Sequence, residues 1–454
     1  MNDTVIRTCP FGKVQTGKYK RNCSRELAQT ARDAVHVGGY RQLKDPEKAA
    51  RQMRAAVVAI QKTADRFLKN DPDRQFKPRL IRDIAQTCLE TVDERNLNSY
   101  KQVGAYQGAL EAISALEEKP GSYAVEKAAR QLLNGREAFY FDNRLKDEPH
   151  RLEKNREMLR MGLEAEKLVA QSLCHSGLIA VTQAALPTNA GLCAVEAAAR
   201  HYTLSFSRET SCRQALDLNL VSEIAKRNLE SKNFCIDGKA RAAYMKDSLK
   251  IAEELSRLVG IQEGKPRRGG PGLVEKIAEK ALNQEKCADR GHDPRLLKWG
   301  KTHKLDPWEQ AGEYQGALEV IAAVGYVAVP PDLSLGAWRA LKRRDNFGVW
   351  SYTVDRIYKG KKFDVWQDEQ REEEYQQKTR LLQSRARDHY YQSAARSLGL
   401  MAEELSCPKA LAVTEAGEPG EWTLHALKNI SFEKPQKPRP QPEKPCKKEQ
   451  THDR

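Results

Sequence analysis

Long apolar runs are missing from this chain of 454 residues. The longest, around Ala55 to Ile60 and Ile321 to Val329, fall well short of the ~18–20 residues that a membrane-spanning helix needs. No secretory apolar region follows Met1 either, because Asp3, Arg7 and Lys13 interrupt the start. These absences exclude a helical membrane protein and lead us to expect a cytoplasmic chain. Aromatic residues are also scarce, at 7%, and the hydrophobic share is 40%, below the ~45–50% usual in globular proteins. With Ala, Leu, Glu, Lys and Arg abundant, that composition favours exposed helices over a thin shared core. The length alone allows about three domains of ~150 residues, unless repeats set the architecture.

Paired cysteines are missing too. Cys9, Cys23, Cys88, Cys174, Cys193, Cys212, Cys235, Cys287, Cys407 and Cys446 include no CxxC. Thiols in a chain without a secretory signal stay reduced and act as small hydrophobes; Cys88, Cys174 and Cys193 lie in apolar helical patterns and are expected in the core. The nearest approach to a metal cluster is Cys287, Asp289, His292 and His303, whose spacing fits no zinc template. We therefore expect no metal and no cofactor. Catalytic signatures are absent as well: there is no nucleophile elbow, no HExxH and no dinucleotide glycine fingerprint. Cys174 and His175 are adjacent, and neighbours on a helix point ~100° apart, so they form no nucleophile–base pair. No catalytic residue is assigned.

What the sequence does contain is self-similarity. Gly-Ala-Tyr-Gln-Gly-Ala-Leu-Glu-Ala-Ile-Ser-Ala, with Gly108 as its second glycine, recurs as Gly-Glu-Tyr-Gln-Gly-Ala-Leu-Glu-Val-Ile-Ala-Ala around Gly316. Leu80 to Leu89 matches Leu273 to Leu282 with its apolar positions kept at helical spacing. A weaker third pair aligns Gln171-Ser172, Ser176 and Pro187 with Gln392-Ser393, Ser397 and Pro408. The repetition predicts two homologous halves, 24–205 and 206–425, following a flexible basic arm at 1–23 and preceding a disordered Pro/Lys-rich tail at 426–454. Pro- or Gly-bearing loops at Asp71 to Pro78, Lys119 to Ser122, Pro187 to Gly191, Gly264 to Gly272, Pro330-Pro331 and Cys407-Pro408 punctuate apolar-periodic segments. They predict three helical hairpins per half. The expected fold is all-α, a duplicated array of helical hairpins with extra connecting helices.

Interior glycine costs a helix about 1 kcal/mol against alanine, so its recurrence needs a reason. Gly104 and Gly108 share one helix face, as do Gly312 and Gly316, and such a bare strip lets another helix approach closely. These four are assigned to helix packing. All six tryptophans, Trp299, Trp308, Trp338, Trp350, Trp366 and Trp422, fall in the second half, which marks that half as the divergent one; Trp308 and Trp338 flank its glycine helix and are expected in the core.

Lys and Arg exceed Asp and Glu by 77 to 62, a net charge of +15. The excess concentrates in the arm (Lys13, Lys18, Lys20, Arg21), the loop before the second Leu-rich helix (Lys265, Arg267, Arg268), a basic helix end (Lys342, Arg343, Arg344) and the tail. Such patches are an electrostatic footprint for nucleic acid or another polyanion. The leading expectation is nonetheless a noncatalytic scaffold that binds a protein partner through its helical surface. Nucleic-acid binding through the arm and the Gly/Arg loop is the alternative, and an all-helical enzyme with a site between the halves the second alternative. Oligomeric state is not readable from the sequence.

Overall fold

A computed structural model describes residues 7–9, 12–14, 23–38, 45–70, 76–116, 122–135, 149–205, 215–230, 238–262, 270–288, 302–325, 327–342, 365–416 and 420–430. Sixteen helices lie among them. The first eight are α1 (Cys23–Gly38), α2 (Pro46–Asn70), α3 (Phe76–Glu94), α4 (Ser99–Ala115), α5 (Ser122–Gly135), α6 (Pro149–Ser172), α7 (Ser176–Ala184) and α8 (Asn189–Ser205). The second eight are α9 (Leu218–Glu230), α10 (Gly238–Gln262), α11 (Gly270–Leu282), α12 (Pro307–Ile321), α13 (Pro330–Lys342), α14 (Val365–Glu404), α15 (Pro408–Ala416) and α16 (Glu421–Lys428). Two small antiparallel hairpins add β1 (Arg7–Cys9) with β2 (Gly12–Val14) and β3 (Lys286–Ala288) with β4 (Thr302–Lys304). The fold is all-α apart from these, and no helix among the described residues is long and apolar enough to cross a membrane.

Helices of equal rank in the two runs pack on partners of equal rank. In the first run α4 lies against α1, α2, α3, α5 and α6; in the second, α12 lies against α9, α10, α11, α13 and α14. Likewise α5 packs on α8 and α13 on α16, while α7 bridges α6 and α8 as α15 bridges α14 and α16. The runs meet where α8 packs on α9 and α10, and α7 on α10. One continuous apolar core threads both.

At the centre of each run is the glycine-bearing helix, buried on all sides from Val103 to Ala115 in α4 and nearly so in α12. A Cβ on Gly104 or Gly108 would fall well under 3.0 Å from the carbonyl oxygens of Lys154 and Met158 on α6. One on Gly312 or Gly316 would do the same to Ala386 and Tyr390 on α14. All four glycines thus sit against backbone, the close approach that the sequence assigned to them.

The ends of α6 and α14 match in detail. Cys174 and Ser406 both take the left-handed conformation, at φ 50° and 51°. The N–H of His175 donates to the carbonyl of Ala170 at 3.2 Å, and that of Cys407 to Ala402 at 2.9 Å, the long hydrogen bond that closes a helix through a left-handed residue. In both places the next helix opens two residues after the left-handed one, at Ser176 for α7 and Pro408 for α15. Pro187 follows α7 whereas Pro408 opens α15, and Gln171 lies in the last turn of α6 whereas Gln392 lies about three turns before the end of α14, so the weaker third pairing falls on unlike places. Short Gln-Ser pairs on Ala-rich helices align by composition; the helix ends do not.

The six proposed loops each separate two helices, with α1, α6, α9 and α16 outside those hairpins. Other expectations need correction. Cys88 and Cys193 are buried, but Cys174 is exposed, because it forms the turn rather than a helix interior. Trp308 packs over Gly238, as expected of a residue at the core, whereas Trp338 is 40% exposed. The arm contains β1 and β2, and α16 runs past residue 425 to Lys428.

Candidate functional site

The sequence-assigned cations are mostly beyond the described residues: Lys18, Lys20, Arg21, Lys265, Arg267, Arg268, Arg343 and Arg344 all lie outside them. Lys13 lies on β2, paired with Thr8. Lys342 ends α13, with its Nζ 4.8 Å above the ring of Trp338, a cation–π geometry. Of the rejected metal quartet, β3 and β4 set Cys287 opposite His303; Asp289 and His292 lie outside the described residues. No group of three or more metal-ligating side chains occurs among those described.

Polar groups instead converge inside each run. The chain enters α12 through Asp306-Pro307-Trp308-Glu309, the pattern of a capping box with proline at the first helical position. Asp306 Oδ1 accepts from the N–H groups of Trp308 and Glu309 at 2.7 and 2.9 Å, and Glu309 accepts in return from the N–H of Asp306 at 2.9 Å. The helix then buries Glu309, Glu313, Gln315 and Glu319. Buried charge is tolerated only when paired, and the neighbouring helices supply the partners. Arg396 on α14 donates to Glu313 at 2.6 Å. Arg339 on α13 forms an ion pair with Glu319 at 3.3 Å, and Arg241 on α10 donates to Gln315 at 2.6 Å. His389 on α14 lies 3.9 Å from both Glu309 and Glu313. The result is a polar seam that locks α12 to three neighbours.

The first run carries a different set. Arg130 on α5 bridges Glu126 at 2.6 Å and Glu196 on α8 at 3.3 Å, and Arg227 on α9 reaches Glu196 across the junction at 3.3 Å. Glu166 on α6 is fully buried, and neither carboxylate oxygen has a hydrogen-bond partner among the described residues. Burial, with the charge of Glu196 adding to it, pushes its carboxyl well above the usual range. The helix-end register puts Leu398 at the same place in the second run, where it packs against Gly336 and is fully buried.

His175, whose neighbour Cys174 turns the chain, has a structural task. Its Nδ1 accepts from the N–H of Leu178 at 3.3 Å to cap α7, and its ring lies 4.2 Å from that of Tyr202. Burial lowers its pKa, which keeps the nitrogen free to accept.

The outer surface of the second run holds an apolar stripe that composition and spacing did not single out. On α13, Pro331, Leu335, Trp338 and Lys342 are exposed in one stripe, while Leu333, Gly336, Ala337 and Ala340 face inward. Val327 and Val329 extend the apolar patch just before the helix. Helix α16 lies beside it, its end tied down by the Ser334 hydroxyl donating to the carbonyl of Lys428 at 2.7 Å, and it exposes Trp422 to 87%. The signal was present in Pro330 to Lys342 as a helical wheel with a small-residue face opposite a Leu/Trp face. A shallow open groove of about 420 Å³ lies elsewhere, between Lys276, Glu279, Lys280, Asn283 and Gln284 on α11 and Leu400 on α14. No family model, curated protein or solved structure matches the chain.

Proposed function

We propose that the chain is a noncatalytic scaffold, built from two copies of one eight-helix unit, that binds a protein partner through the outer face of α13. The matched packing of the two runs, the matched ends of α6 and α14, and the two glycine helices seated on backbone support the duplication. The observation that carries the function is the apolar stripe of α13. The equivalent stripe of α5 reads Tyr123, Lys127 and Arg130, so Leu335 and Trp338 stand at a solvent-facing surface where the first unit carries charge. Contiguous exposed apolar surface marks interaction sites, and tryptophan is enriched among the residues that dominate binding. The inward charges of α12, by contrast, are matched within the fold by Arg396 and Arg339.

The test is cross-linking in cells with a photoreactive residue at position 335, identification of the captured protein, and binding measured with the two purified proteins. L335D/W338D is expected to weaken that affinity at least ~10-fold. A reconstituted complex with unchanged affinity refutes this surface. The net charge of +15 and the basic residues Lys342, Arg343, Arg344, Lys265, Arg267 and Arg268 of the sequence favour a second reading, a nucleic-acid contact. Reversing Arg267 and Arg268 to Glu would then weaken DNA or RNA binding and flatten its salt dependence; unchanged binding discards that loop.

A further inference from the structure

Exposed apolar surface is concentrated at one place on this molecule. Of the seven large hydrophobic side chains exposed among the described residues, five belong to α13, the residues just before it and α16: Val327, Val329, Leu335, Trp338 and Trp422. A contiguous patch of that kind marks a surface with an occupant.

The chain itself brings a candidate to the patch. Because the hydroxyl of Ser334 on α13 donates to the carbonyl of Lys428 at 2.7 Å, the end of α16 is pinned beside the residue that precedes Leu335. Residues 431–454, which continue from there, lie outside the described residues, but their sequence opens Ser-Phe-Glu-Lys-Pro-Gln-Lys-Pro-Arg-Pro-Gln-Pro-Glu-Lys-Pro. Pro-x-Lys-Pro occurs in it twice, from Pro435 to Pro438 and from Pro442 to Pro445. Proline-rich sequence favours the polyproline II helix, which has three residues per turn, so both prolines of each repeat fall on one edge. Aromatic side chains are what such an edge docks on. The lysine of each repeat suits the same rings, since a tryptophan face takes a cation, as the Nζ of Lys342 shows 4.8 Å above Trp338.

The reach is sufficient. From Pro331 to Lys342 the stripe is about 17 Å long at 1.5 Å per helical residue, whereas the chain from Lys428 to Pro435 spans up to about 23 Å when extended. The ten steps from Pro435 to Pro445 cover about 31 Å as polyproline II.

The first run lacks both parts of this arrangement. Its equivalent face on α5 carries Lys127 and Arg130, and residues 206–217, which leave α8, contain no proline. Apolar face and proline-rich segment occur together in one run and are both missing from the other.

Resting on the reading of the α13 face as a docking surface, we propose that residues 431–454 of the same chain fold back onto that face, prolines against Trp338 and Trp422, and occupy it until a protein partner displaces them. Such a segment needs little intrinsic affinity, because a short tether sets an effective concentration of the order of mM. The partner therefore competes with the chain's own prolines, and weakening the proline segment strengthens partner binding.

The test places a photoreactive residue at position 335 of the full chain, which is purified and irradiated alone at low concentration. The expected product stays at 51.3 kDa, joins position 335 to a peptide from 431–454, and is lost in P435A/P438A/P442A/P445A. Fluorine NMR of the full chain labelled with fluorotryptophan, its signals assigned through W338F and W422F, supplies a second readout. The four-proline variant is expected to shift the signals of Trp338 and Trp422 and to leave that of Trp308, packed over Gly238, unmoved, which shows the fold intact. Three results overturn the proposal: no peptide from 431–454 joined to position 335, such a peptide joined only in a species of twice the mass, which places the contact between copies, or identical spectra of wild type and variant. The docking-surface reading fails separately. A reconstituted partner complex that L335D/W338D leaves unchanged refutes the surface itself; a partner that needs Leu335 and Trp338 but binds wild type and the four-proline variant equally refutes only the fold-back.

Discussion

Replacing Gly108 by alanine should destabilise the protein, although the same change elsewhere in a helix of this chain should stabilise it. Alanine at a helix interior gains about 1 kcal/mol over glycine. At position 108 the added Cβ falls well under 3.0 Å from the carbonyl oxygen of Met158 and 3.0 Å from the backbone nitrogen of Gly162. Both are main-chain atoms of α6 and cannot rotate aside, so α4 and α6 must separate along their seam. Gaps of 0.5–1 Å forfeit a quarter to a half of each van der Waals contact, and overpacking costs about 1–3 kcal/mol or more. Since α4 is buried on all sides, the upper end applies, and the net effect is a loss of about 2 kcal/mol. Gly399 on α14 is the control: a Cβ there meets Thr414 at 3.6 Å, an ordinary contact, so G399A should gain up to about 1 kcal/mol. Urea denaturation reads both as midpoint shifts of opposite sign at constant slope. G108A at or above wild-type stability, or G399A as damaging as G108A, would refute the argument that backbone contact, and not helix propensity, placed these glycines.

Three further outcomes are expected. Glu166 has a folded-state pKa raised by burial, so its contribution is fully present below its unfolded value near 4.5 and is lost as pH rises, by up to about 1.4 kcal/mol per pH unit until the folded value is reached. E166L, which copies Leu398, should raise stability at pH 7 and flatten that slope, and an unchanged pH profile of the denaturation midpoint would show that Glu166 is not the group responsible. R396A strands Glu313 in a fully buried site and should cost about 3–5 kcal/mol; a thermal-melt loss under about 1 kcal/mol, typical of exposed pairs, would mean that water replaces the guanidinium. Ser406 holds φ at 51°, which costs a non-glycine residue roughly 1–2 kcal/mol, so S406G should stabilise by about 1 kcal/mol and a destabilised variant in the same denaturation assay would contradict the strain.

Local pattern along the chain is enough to place the helices and much of their order. Apolar spacing along Leu80 to Leu89 and Leu273 to Leu282, punctuated by proline and glycine, is local information, because the 3.6-residue period and the chemistry of helix ends act within a few residues. The glycine helices were legible for the same reason: Gly104/Gly108 and Gly312/Gly316 repeat at one-turn spacing and carry a cost that only close packing offsets. The packing partners and the roles of charged and aromatic side chains were decided by tertiary structure. Nothing local to Glu166, Glu313 or Glu319 marks them as buried until α6 and α12 are seen enclosed, and Trp338 is expected in the core until α13 is placed at the outside. Burial is set by every neighbour at once, including Arg396, which the sequence holds far from Glu313, so a helix's own pattern shows that it has an inner face without saying how many of its faces are covered.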